Sequence, residues 1–102
     1  VKEVDELKLR AQADLGNRAQ QLLENPIFKD AFTKVERTLL ERLIQAPVRD
    51  VEGVHELKLM IQLLRTVQAH IAKMAQTGRM ADKELSRWES AKSRVRRAMG
   101  GQ

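Results

Sequence analysis

Apolar residues fall at three- and four-residue steps along most of this 102-residue chain. That spacing lines up one face of an α-helix, not one face of a strand. In KEVDELKLRAQADLGNRAQQLLEN the stripe is Val4, Leu7, Ala11, Leu15, Ala19 and Leu22. Gly16-Asn17 interrupts it, and glycine costs about 1 kcal/mol relative to alanine inside a helix. The expectation over residues 1–24 is a peripheral helix with a weak centre, free to fray, bend or pair outside its own domain.

Asn25-Pro26 predicts the start of a second helix, because asparagine is a good N-cap and proline suits the first helical position. In PIFKDAFTKVERTLLERLIQA the core stripe is Phe28, Ala31, Phe32, Val35, Leu39 and Leu43, widened by Leu40 and Ile44. Lys29, Lys34, Glu36, Glu41 and Arg42 fall largely off it, as an amphipathic surface helix requires. Pro47 predicts an end at Ala46. Asp50 is the expected N-cap of a third helix, with Glu52 near its positive end. There the stripe runs Val54, Leu57, Ile61, Leu64, Val67, Ile71 and Met74, broadened by Met60 and Ala75, to a C-terminal cap at Gly78. A fourth helix is expected from Met80 or Ala81, with Leu85, Trp88, Ala91, Val95 and Met99 on one side and Gly100-Gly101 ending it.

The fold expected is all-α: a small antiparallel bundle of about four helices in a single domain. A central hairpin, 26–46 against 51–77, is flanked by the N-terminal helix and by a basic C-terminal helix over 79–99. The apolar stripes of the first and last helices can also be completed by another protomer, so homo-oligomerisation is expected, since a chain this small has little core to spare.

Composition narrows the class. Hydrophobic residues at 42% and charged residues at 32% make the chain too apolar for simple disorder and too charged for a membrane protein. The aromatic residues are Phe28, Phe32 and Trp88, fewer than sandwiches and barrels use. Cysteine is absent, which excludes a disulfide framework, a thiolate metal site and a cysteine nucleophile. No apolar stretch approaches the roughly 20 residues of a bilayer span, so no membrane association is expected. VKEVDELK is too acidic and polar for a signal peptide, and Val1 leaves room for a native start upstream.

The net charge of +5 is unevenly placed. Residues 1–25 hold four Lys/Arg against five Asp/Glu, residues 26–78 eight against six, and residues 79–102 seven against three. Arg79, Lys83, Arg87, Arg94 and Arg97 recur along one side of the last helix, with Lys92 and Arg96 approaching from the flank. Such a stripe suits phosphates or an acidic protein surface, and equally a solvated face. No helix-turn-helix, RNA motif or aromatic stacking platform accompanies it. Trp88, the sole tryptophan, is expected to anchor the last helix on the bundle or to serve as an interface hot spot.

No catalytic constellation appears, so no enzyme, cofactor or metal site is expected. His55 and His70 lie more than about 20 Å apart on one helix. His55-Glu56 begins an HExxH, but Leu59 stands where the second histidine belongs. The carboxylate pairs Glu36/Glu41 and Glu52/Glu56 read as solvated faces with local ion pairs. Gly53, Gly78 and the terminal glycines read as helix punctuation, and Met60 and Met74 as core fillers.

One longer pattern goes further. From ENPIFKDAF through a helix ending before a proline-containing turn, then DVEG, then a Leu-rich helix closing at TGR, residues 24–89 resemble a group of small helical proteins encoded by tailed bacteriophages and prophages. That resemblance implies a place among head-assembly and DNA-packaging functions, in the host bacterial cytoplasm or the virion, with no catalytic residues to carry over. The leading expectation is a non-enzymatic virion-assembly or DNA-packaging accessory protein. It would act through helical contacts with a phage structural or packaging protein, its basic end meeting an acidic surface or DNA. A small-terminase-like or other DNA-binding protein, and an inhibitor or adaptor that binds a host protein, are the alternatives.

Overall fold

Two local capping motifs set the helix boundaries in the computed structural model, which describes residues 3–100. The Asn25 side-chain oxygen accepts from the backbone N–H groups of Ile27 and Phe28 at 2.9 and 3.1 Å, and Pro26 takes the first helical position. The Asp50 carboxylate accepts from the Gly53 N–H at 3.0 Å. Between them, Ala46 leaves the helix with an extended backbone ahead of Pro47. The elements are α1 (Glu3–Glu24), α2 (Pro26–Gln45) and α3 (Val51–Gly100), with no strand among the described residues.

The all-helical class is as expected, but the four-helix count is not. The expected break at Gly78 is absent, and α3 continues through Arg79 and Met80 as one helix of 50 residues. No described glycine adopts a positive φ, so Gly78 is not a left-handed cap. It is a buried contact residue, and Gly16 of α1 lies against it. Gly53 likewise sits inside the first turn of α3 and does not end a helix.

Contacts group the chain into two units, the residues up to Ala19 together with those from Lys73 onward, and Gln20–Ala72. In the first unit α1 runs antiparallel to the later part of α3. A Cβ built on Gly16 would overlap the Gly78 Cα and stand 3.0 Å from the Met74 carbonyl oxygen; one on Gly78 would overlap the Gly16 Cα. Contact this close is backbone against backbone. Ala13, Ala19, Ala75 and Ala81, each three residues from one of the two glycines, are also buried. Farther along, Lys92 Nζ donates to Glu6 Oε2 at 3.1 Å.

The α1 seam therefore differs from the expected stripe. Ala13, Gly16 and Ala19 are buried, with Glu6, Leu9 and Gln12 half-buried, whereas Val4, Leu7, Ala11 and Leu15 are exposed. Of the expected positions only Ala19 is buried. The weak centre at Gly16 is instead where the two helices come closest.

In the second unit α2 lies antiparallel along the earlier part of α3. Ile61 is buried, and Phe28, Phe32, Leu39, Leu43, Val54, Leu57 and Leu64 are half-buried. The Phe28 and Phe32 rings are tilted with centroids 4.6 Å apart. Arg65 Nε donates to Glu36 Oε1 at 2.7 Å across the two helices. Ala31, Val35, Leu40 and Ile44, expected in the core, are exposed.

Candidate interaction surfaces

Because α3 is helical throughout, the spacing of its cations becomes geometry. At 100° per residue, Arg79, Lys83, Arg87, Arg94 and Arg97 fall within roughly 80° of arc, and all are exposed. Lys92 and Arg96 stand on the other side of the helix, where they flank Trp88, Ala91 and Val95 in an open apolar depression. The seven cations thus divide into a basic face of five and a separate pair bordering the half-buried Trp88.

Lys92 already has a partner. Its ammonium and the Arg10 guanidinium both bind the Glu6 carboxylate, at 3.1 and 2.8 Å. The Lys92 hydrogen bond, followed by that of Arg10, holds the Glu6 carboxyl below its ordinary value. On the basic face, Arg87 lies 3.9 Å from the Glu84 carboxylate, one turn away on the same helix.

Three serines absent from the sequence reading join that face. Ser86, Ser90 and Ser93, with Glu89, Arg94 and Arg97, line a shallow polar depression. Hydroxyls and guanidiniums together supply directional donors suited to phosphate or carboxylate oxygens. Their signal was available, since serine recurs at four- and three-residue steps between the arginines.

A second surface lies within the α2/α3 pair. Phe32, Val35 and Leu39 of α2 and Met60, Leu63, Leu64 and Val67 of α3 form an apolar groove. The stripe reading placed Val35, Leu39, Leu64 and Val67 in a core and omitted Leu63. The clue was LKLMIQLL, apolar around most of the helix, a pattern that belongs to a helix covered on more than one side.

Among the described residues, no group of three or more His, Asp or Glu could hold a metal ion, and no helix is long and apolar enough to cross a membrane. His55 and His70 are exposed on α3. No protein-family model matches the chain, and no curated protein or solved structure matches it either. The resemblance to phage proteins therefore rests on the sequence pattern alone.

Proposed function

We propose that this chain is a non-enzymatic assembly accessory that binds protein partners through apolar helical faces and presents the basic face of α3 to an anionic surface. Phage head assembly or DNA packaging is the setting that the sequence pattern suggests, in the host cytoplasm or the virion. The observation that carries the reading is the charge on α3. Residues 73–102 hold eight Lys/Arg against three Asp/Glu, an excess equal to the whole net charge of +5. An exposed field of one sign on a single helix attracts an oppositely charged partner and speeds its encounter.

Affinity capture from phage-infected cells with the tagged chain tests this proposal. Recovery of portal or capsid components is expected, and it should be lost when Arg87, Arg94 and Arg97 are all changed to Glu. Recovery that survives the triple change would rule out the basic contact, and capture of a single host enzyme would favour inhibition over assembly.

Direct DNA binding is the second reading, favoured by the serine and arginine donors that line one depression. Phosphate contacts make affinity fall steeply with salt, and each lost contact lowers the log–log slope by about 1. Gel shifts with long duplex DNA decide it: no complex even at low salt removes DNA as the partner.

A further inference from the structure

We infer that the basic face of α3 binds the phosphate backbone of duplex DNA without reading its sequence, an inference that rests on DNA being the anionic partner.

The content of the face separates DNA from an acidic protein. At 100° per residue, the arc that holds Arg79, Lys83, Arg87, Arg94 and Arg97 takes in one other residue between its ends, Ser90. All six are exposed. The acids of this stretch, Asp82, Glu84 and Glu89, fall outside the arc, and so does every apolar side chain. Protein interfaces centre on apolar and aromatic residues inside a polar rim, whereas protein–DNA interfaces are more polar and far more positive. Five cations and a hydroxyl with no apolar centre match the second kind. Ser86 and Ser93 extend the donors along one edge, in the same depression as Ser90, Arg94 and Arg97, where Glu89 is the one acid.

The face is also open along its length. α1 meets α3 at Gly78 and Lys92, and those positions stand roughly 140° and 180° around the helix from the middle of the arc. The cations therefore point away from α1. From Arg79 to Arg97 the row spans about 27 Å of helix axis, and one DNA strand carries a phosphate about every 3.4 Å of duplex axis. A row of that length meets phosphates in any sequence.

Side-chain types select the duplex and the mode of contact. Single-strand sites stack bases on aromatic rings, and Trp88 lies roughly 100° beyond the nearer edge of the arc, half-buried and flanked by Lys92 and Arg96. Base-edge readout brings a few side chains of one short segment into a groove, with Asn or Gln for adenine. The arc holds neither Asn nor Gln between Arg79 and Arg97, and its cations are spread over about five turns. Arginine, lysine and serine bound to phosphate fix position and carry no sequence information.

The test follows the fluorescence anisotropy of labelled DNA with the full chain across a salt series. Two duplexes of unrelated sequence are expected to bind with equal affinity, and the corresponding single strands several-fold more weakly. The log–log salt slope should be about −4.5 for five phosphate contacts. Arg94→Gln should reduce its magnitude by about 1, and Ser90→Ala should weaken binding with the slope unchanged. Arg49→Gln, on the connection between α2 and α3, should change neither. Both α3 sites are exposed, and an unchanged circular dichroism spectrum shows the helix intact. Tighter binding of one duplex sequence overturns backbone-only contact, and single strands held as tightly as duplexes overturn the choice of duplex. A slope unmoved by Arg94→Gln overturns this face as the contact while leaving DNA as a ligand. No complex with any DNA at low salt removes the DNA reading itself, and the inference with it.

Discussion

Replacing Gly16 or Gly78 with alanine sets two effects against each other. Alanine is the better helix former by about 1 kcal/mol, yet each new methyl would be driven into the backbone of the facing helix. Overpacking of this kind costs typically 1–3 kcal/mol, so each substitution is expected to lower stability despite the gain in helix propensity. Urea unfolding followed by circular dichroism checks the sign. The double variant should lose less than the sum of the two, because the first methyl already parts the helices and the sites share one contact. A second prediction concerns Glu6, whose carboxyl lies below its ordinary value of 4.5 through Lys92 and Arg10. A depressed acid stabilises the fold above its unfolded pKa and loses that contribution as pH falls through the folded one. Thermal stability should therefore fall below about pH 4, with a shallower acid slope in Glu6→Gln; an unchanged slope would show that the carboxylate contributes nothing.

Helix boundaries were readable wherever local chemistry sets them. Asn25 and Asp50 accept from backbone N–H groups two or three residues on, and Pro26 and Pro47 constrain their own and the preceding residue's backbone, so their neighbours in sequence are the partners that matter. Asn25→Ala should cost about 1 kcal/mol, measured as a shift of the urea midpoint with unchanged slope, because the cap's two hydrogen bonds go to exposed backbone. What opposed Gly78 was not readable. Glycine serves both as a helix terminator and as a point of close helix approach, and only the residue standing against it separates the two roles. The α1 seam was missed for a related reason. Hydrophobic periodicity favours large side chains, whereas Ala13, Gly16 and Ala19 are buried because they are small. The basic face was legible because it lies along one element. Its serines were legible by the same spacing but were overlooked, and Lys92 and Arg96, expected at its flank, stand on the opposite side beside Trp88.

Over the whole molecule, the net charge and the α2/α3 apolar groove occupy different stretches of chain. The seven positive and seven negative residues of 20–72 cancel, while 73–102 accounts for the full +5. Changing Arg87, Arg94 and Arg97 to Glu takes the net charge from +5 to −1. That variant should no longer be retained on a phosphate-bearing column at low salt, while changing Lys29, Arg49 and Lys58 to Glu, which also takes the net charge to −1, should leave much of the retention in place; equal losses would show that position within the chain is irrelevant. The apolar groove follows the opposite rule, because salt screens charges without weakening burial. The glycine contact has a further effect on the chain as a whole. Gly16 and Gly78 are distant in sequence, and a slide of α1 by one turn would bring Gln12 or Gln20 to the place that Gly16 occupies. Neither glutamine fits a gap in which even a methyl collides, so the pair works as a detent: it penalises a shifted alignment of the two helices by shape alone.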